Sequence, residues 1–397
     1  MDNSPVSYTE LVKTELNRSA PTIRIAFLDV GQGDTIVISS PETGEAIIVD
    51  CIDADAVLEY LKQEEITFLR GIVITHLHDD HYSQVDDLLY RANLVPNMRE
   101  CEKLAIGKII NRKKFDQLRQ DSDGHQQQAI PDEPNKGKIY RRTVLQNMTD
   151  WCSEDKRRYI DPSVQVEVNS LPFKGTVAKN IYLIHPYAID LLRGLEKKGL
   201  NNTSVVLHII SSNSSALLTG DLEPAGWKLL QENHPHLHCD VLKFPHHGGA
   251  WNAEDTKSLL DAVQPSVVVI SVGTEGEKYK HPNAEVFQTL SSPAYSHIQI
   301  LCTQATNQCQ VPVLDQKQSI IQLLDRQANN KGCERIASRR GCPCAGTIII
   351  ELGDGLRVLQ PSRAFHQDSI IIPHLHAHKC VLAQIHTMSA GPDMDTR

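Results

Sequence analysis

An α+β chain with its elements in the order of an αββα sandwich is the fold the sequence predicts, and three observations predict it. Short apolar runs of strand length alternate with stretches of helical spacing, giving strands, helix, strand, helix in the first part of the chain. Several of those runs end in histidine or aspartate, which mounts chemistry-bearing side chains at strand ends. Later apolar runs, around residues 205, 217, 242 and 268, add further strands.

Composition bounds the rest. The 397 residues, 40% hydrophobic and 22% charged, suffice for two ordinary domains or one large one with insertions, and they describe a soluble globular protein. No apolar run approaches the roughly 18–20 residues of a membrane span. Met1 to Pro5 has neither a basic start nor an apolar core, so no secretory signal is read and a cytoplasmic location is expected. The ten cysteines are scattered and read as reduced thiols. A net charge of −9 shows no global nucleic-acid footprint, so phosphates would have to be held by metals and a local basic surface.

Residues 1–20 read as a polar lead-in with a short helix. Thr22 to Val30 is a strand, Gly31-Gln32-Gly33-Asp34 a tight turn whose glycines allow unusual backbone angles, and Thr35 to Ser39 the returning strand. Pro41 to Gly44 turns the chain into a third strand, Ala46 to Cys51, which carries Asp50 near its end. Asp53 to Glu64 is a helix with Val57, Leu58 and Leu61 on one face. Gly71 to Ile74 is a buried strand that runs into Thr75-His76-Leu77-His78-Asp79-Asp80-His81. His76 and His78, two apart, share a face of an extended backbone, and Asp80 and His81 follow where the chain turns. Imidazole with carboxylate suits zinc, and also iron or manganese. Val85, Leu88 and Leu89 then mark an amphipathic helix.

The H-x-H-x-D-H string resembles the signature of the metallo-β-lactamase superfamily. The rest of the chain resembles one branch of it, the soluble hydrolase domain of ComEC-type competence proteins. That likeness is carried by Phe27 to Asp34, Asn201 to Leu207, Leu217 to Asp221 and Pro245 to Gly248, and it covers residues 22–302 apart from 97–165. It implies a four-layer αββα sandwich with an inserted cap and a C-terminal hairpin extension. It also implies Asp34 beside the metal pocket, Asp50 buttressing a ligand histidine, Asp221 as the bridging carboxylate and His247 as the last ligand, with His246 second to it or facing substrate. Many members place a ligand histidine near Asn201 and Asn202; here an asparagine, or His185 at the end of Ile181 to His185, would complete the first metal site. Ser204 belongs to the same matching stretch. His281 matches the family's His-Pro pair, a candidate to hold a phosphate or protonate a leaving group. Lys280 stands where the family often has glycine, and Gly249 where it usually has serine.

The remaining elements follow. Residues 97–165 read as an insertion or cap, polar and partly basic at Arg141-Arg142 and Lys156 to Arg158, with acidic residues interspersed. Ile189, Leu192 and Leu195 have helical spacing. Asn201 to Leu207 and Ala216 to Asp221 read as strands, and Glu223 to Glu232 as a helix with Pro224 in its first turn. Asp240 to Pro245, Pro265 to Gly273 and Ile298 to Cys302 are further strands, with a helix containing Val286 and Leu290 between the last two. A hydrolase domain over 1–302 is expected, then an extension over 303–360 with cysteines (Cys309, Cys333, Cys342, Cys344) and a hairpin turned at Gly353-Asp354-Gly355, then a flexible tail over 361–397 holding His374, His376 and His378.

The expected donor set is His76, His78, Asp80, His81, Asp221 and His247, holding two divalent ions, zinc or manganese, that activate a shared water. Asp80 would orient that water. The expected function is hydrolysis by a phosphodiesterase or nuclease acting on DNA or RNA, with Lys243, Lys280 and His281 near the pocket. A hydrolase of small esters, lactones or thioesters and a non-catalytic metal-binding module are the alternatives.

Overall fold

Strand alternation sorts this chain's apolar side chains into three layers, and the site grows from the ends of the strands that make them. The computed structural model describes residues 21–92, 104–106, 147–148, 159–160, 180–186, 199–274, 281–306 and 343–361. The strands are β1 (Ile23–Phe27), β2 (Ile36–Ser40), β3 (Glu45–Val49), β4 (Phe68–Ile74), β5 (Leu104–Ile106), β6 (Tyr159–Ile160), β7 (Ile181–His185), β8 (Val206–Ser211), β9 (Ser214–Leu218), β10 (Val241–Lys243), β11 (Val267–Ile270), β12 (Gln299–Cys302), β13 (Ile348–Leu352) and β14 (Arg357–Gln360). The helices are α1 (Ala54–Gln63), α2 (Asp79–Tyr82), α3 (Val85–Ala92), α4 (Pro224–Asn233), α5 (Ala253–Val263) and α6 (Ala284–Leu290).

Two sheets result, an eight-stranded one in the order β14-β13-β1-β2-β3-β4-β5-β6 and a six-stranded one in the order β12-β11-β10-β9-β8-β7. Alternate residues of β1 (Ile23, Ile25, Phe27) meet alternate residues of β8, β9 and β11 (Leu207, Ile209, Leu218, Val267, Val269) in the layer between the sheets. The other face of the larger sheet packs on Val57, Leu61, Leu88 and Leu89 of α1 and α3. The other face of the smaller sheet packs on Trp227, Leu230, Leu259, Leu260, Val286 and Leu290 of α4, α5 and α6. This is the four-layer αββα sandwich expected from the sequence. The C-terminal hairpin pairs through β13 with β1, so it closes the edge of the larger sheet.

The structure corrects three boundaries. Asn201–Thr203 is a single 3₁₀ turn and strand β8 begins only at Val206. The Thr203 N–H and hydroxyl both donate to the Leu200 carbonyl and close the turn, while the side chains of Asn201 and Asn202 reach across to Glu223. The strand before Asp221 starts earlier, at Ser214, and ends at Leu218, leaving Thr219-Gly220 as a turn. The helix after the histidine string is broken at Ser83 and Gln84 into α2 and α3.

Within 97–165 the described residues include β5 and β6, which extend the larger sheet in parallel beyond β4. The lead-in, the rest of the insertion, the helix expected around Ile189, Lys280, Cys309, Cys333, Cys342 and the histidine-containing tail lie outside the described residues. Cys51, Cys239, Cys302 and Cys344 are buried cysteines. Among the described residues no helix is long and apolar enough to cross a membrane.

Candidate metal centre

Strands β3 and β4 run parallel, as do β9, β10, β11 and β12. Their carboxyl ends therefore open at one side of the sandwich, where α/β sheets present ligand sites. Asp50 follows β3, Thr75 and His76 follow β4, Asp221 follows β9, Pro245 to Gly248 follow β10, and Ser271 follows β11. Asp34 comes from the β1–β2 turn. Its N–H donates to the Asp80 carbonyl at 3.0 Å, and this locks the turn onto the histidine loop. Gly33 has φ +121°, and a Cβ there would sit 2.3 Å from the same Asp80 oxygen. Only glycine allows that approach.

Asp34, His81, Asp221 and His247, all buried, bring one donor atom each within 4.8 Å of one another. Asp34 Oδ1, Asp221 Oδ1, His81 Nε2 and His247 Nε2 are buried without a well-formed hydrogen bond. Carboxylate oxygens and imidazole nitrogens left so are costly unless a cation satisfies them, so the residues present fit a divalent metal. The other edges of the two rings are fixed. His81 Nδ1 lies 2.6 Å from Asp50 Oδ2, and His247 Nδ1 lies 2.6 Å from the Ser271 carbonyl oxygen. With Nδ1–H donating, His247 Nε2 turns a lone pair inward, and His81 Nε2 does so once a cation displaces its proton. Asp50 is itself held by the Thr75 N–H and hydroxyl, each at 2.7 Å.

Lys243 is the unexpected neighbour. Val241 faces the layer between the sheets and Leu242 faces the outer helices, so alternation puts Lys243 on the inner side. Its Nζ lies 2.5 Å from Asp34 Oδ2, 2.9 Å from the Gly220 carbonyl and 3.8 Å from Asp221 Oδ1. Sealed there at 0% exposure, it neutralises buried carboxylates and does not reach a substrate from solvent. Burial alone would lower its pKa, but Asp34 and Asp221 prevail and hold it raised. Burial raises Asp221, yet its close approach to the His247 and His81 rings brings it well below the usual carboxylate range. His81 is the reverse case: burial disfavours its charge, but Asp221 and Asp50 lift it well above the ordinary histidine value. His76 and His247 are held neutral, chiefly by burial.

The other expected residues surround this floor. His76 Nε2 lies 3.0 Å from His78 Nδ1 and 3.8 Å from Asp221 Oδ2. Asp80 is partly exposed, with Oδ2 4.0 Å from His247 Nε2. His246 Nε2 lies 3.9 Å from Asp221 Oδ2. Ser204 Oγ accepts the Asp221 N–H at 3.1 Å and lies 3.4 Å from His76 Nδ1. His281 stands over the rim, its ring centroid 5.3 Å from that of His246, and its pKa is lowered to about 4, first by burial and then by His247 and His246. A Cβ at Gly249 would meet His281 Cε1 at 2.0 Å, so glycine rather than serine stands there.

His185 is buried and bonds through Nε2 to the Asn202 carbonyl at 3.2 Å, with its pKa brought down to about 4 by burial. It is not among the four converging donors. Sequence reasoning passed over Glu223, which accepts from Asn201 Nδ2 at 2.8 Å and approaches His246 Nδ1 at 3.4 Å. Its only sequence signal is its place two residues after Asp221, at a helix start.

Residues 28–99 match the model of the metallo-beta-lactamase superfamily. The chain is 22% identical over 285 residues to ComE operon protein 3 of Bacillus subtilis, covering 67% of this chain and 30% of that protein. It is 34% identical over 100 residues to competence protein ComA of Neisseria gonorrhoeae, covering 24% of this chain and 14% of that one. The chain thus spans less than a third of the length of these relatives. Among solved structures it is similar to the metallo-beta-lactamase fold protein YhfI of Bacillus subtilis, with 13% identity, a TM-score of 0.33, and 63% and 85% of the two chains covered. The matched stretch, residues 28–99, includes Asp34 and His81, two of the four buried Asp and His residues that could hold a metal.

Proposed function

We propose that the chain is a metal-dependent phosphodiesterase that cleaves nucleic acid, DNA or RNA. One observation carries this reading: four buried donors, Asp34, His81, Asp221 and His247, meet with their facing atoms turned on one another, His81 Nε2 3.2 Å from Asp221 Oδ2 and His247 Nε2 3.3 Å from Asp221 Oδ1. Zinc or manganese bound there would supply a Lewis acid that lowers the pKa of a water and offsets charge growing on a phosphoryl oxygen.

The protein's own groups do the rest. Asp50 and the Ser271 carbonyl fix which nitrogen each imidazole presents. Lys243 keeps Asp34 in place. Asp80, partly exposed beside His247, accepts a proton from the attacking water and orients it. His281, neutral at pH 7 with its pKa near 4, donates an N–H to a phosphate oxygen rather than a proton to the leaving group. His78, Asp80, His246 and His281 are all partly exposed, so a backbone phosphate has access to the floor from that side. The competence-protein likeness over 67% of the chain directs the choice of a nucleic-acid polymer over a small ester.

The test uses labelled single-stranded DNA, duplex DNA and single-stranded RNA with manganese or zinc, beside a nitrophenyl ester and a lactone. Cleavage of a polynucleotide is expected, abolished by chelation and by Asp221→Asn. Hydrolysis of the ester or lactone alone would transfer the reading to a small-molecule hydrolase.

A further inference from the structure

His246 is held in a way that a solvent-facing rim residue does not require. It and His247 are consecutive non-glycine residues with φ of 48° and 50°, a conformation that persists only where the surroundings determine it. Its Nδ1 faces Glu223 Oε1 at 3.4 Å. Glu223 is itself clamped by two side-chain amides, Asn201 Nδ2 at 2.8 Å and Asn202 Nδ2 at 3.4 Å. Asn202 is fixed in turn, its Oδ1 accepting the Gly226 N–H at 2.8 Å and the Glu223 N–H at 3.3 Å. A carboxylate on Nδ1 leaves Nε2 as the inward nitrogen.

That nitrogen faces Asp221 Oδ2 at 3.9 Å, the oxygen that also has His76 Nε2 at 3.8 Å, and His76 Nε2 has His78 Nδ1 at 3.0 Å. The two longer separations exceed hydrogen-bond length. All three fall within the roughly 3.0–4.2 Å expected between donors that share one ion at about 2.0–2.2 Å. The His76 and His78 rings stand edge to edge, with centroids 4.6 Å apart and planes at 73°.

We infer that His246 ligates a second divalent cation together with His76, His78 and Asp221, with Glu223 as the positioning residue that turns it there. The inference rests on the reading that the neighbouring cluster holds metal. It assigns the fourth donor to the loop after β10, not to His185, whose Nε2 is engaged by the Asn202 carbonyl.

Zinc titration of the full chain by calorimetry, with elemental analysis of the dialysed protein, tests this without reference to catalysis. His246→Asn removes the imidazole yet tolerates positive φ, and Glu223→Gln keeps the shape while removing the charge. The expected stoichiometry is two zinc per chain for the native protein and one for His246→Asn. Glu223→Gln is expected to weaken one of the two ions about 10- to 100-fold and leave the other unchanged, and it carries the test should His246→Asn not fold. Two ions at native affinity in both variants, or saturation of the native chain at one ion, overturns the inference. A native chain that binds no zinc or manganese at all sinks the metal-dependent reading itself.

Discussion

The floor and the rim of the centre are built from the same residue types and differ in how far they are buried. On the floor, Asp34, Asp50, His81, Asp221, Lys243 and His247 are almost wholly buried, and each pairs with another of them or with a fixed backbone group. At the rim, His78, Asp80, His246 and His281 are partly exposed. Floor charges are thus part of what folds the chain, while rim groups stand at the solvent side of the centre. Substitutions on the floor should register in stability and metal affinity together; at the rim, those at Asp80 and His281 should register in turnover and those at His78 and His246 in metal affinity.

The largest effect is expected from Lys243→Met. It leaves Asp34 and Asp221 without their buried counter-charge, and breaking such a pair costs about 3–5 kcal/mol. Denaturant melts in chelator should show that loss, and added zinc should restore part of it because a cation again faces the carboxylates. Equal melts for variant and native protein would mean that the floor is not held by this charge.

Asp50→Asn comes next. The amide cannot accept the His81 N–H as a carboxylate does, so metal affinity should fall about 10- to 100-fold while the fold survives. Competition titration with a chromophoric chelator measures this, and an unchanged affinity would remove Asp50 from the account.

A pH effect of intermediate size follows from His81. Its folded-state pKa is raised well above 6.5, by Asp221 and Asp50 against the opposing effect of burial. In the metal-free protein its stabilising charge is therefore fully present below about 6.5 and lost as pH rises through the raised value. Metal must displace that proton, so affinity should climb with pH over the same window. Melts of native protein and His81→Gln in chelator from pH 5.5 to 9 should converge as pH rises; curves that stay parallel contradict the assignment. The smallest stability effect belongs to the rim: His281→Asn should lower cleavage with a change in stability within about 0.5 kcal/mol, read from initial rates beside a thermal melt.

The contrast also explains what was legible in the sequence. The layers were, because alternation in runs such as Ile23 to Phe27 and Val267 to Ile270 states which face is buried. The strand-end donors were legible too, as residue types at the ends of apolar runs. What was not legible depends on which distant turns meet. Only the family resemblance placed Asp34 beside the pocket; the local pattern is that of a hairpin, and Gly33 lets its turn dock on Asp80. Lys243 reads as a phosphate contact near a pocket, although its parity with Val241 already points it inward, towards Asp34 on the opposite sheet. Glu223 reads as a helix start, and only the 3₁₀ turn at Asn201–Thr203 brings the amides that hold it against His246. Long-range electrostatic pairing is the common element, and no local pattern encodes it.

Anomalous diffraction from crystals grown with manganese tests the central claim most directly. The account predicts a peak within about 2.0–2.3 Å of donor atoms of Asp34, His81, Asp221 and His247. Manganese bound only elsewhere, with those four side chains paired among themselves, would contradict it.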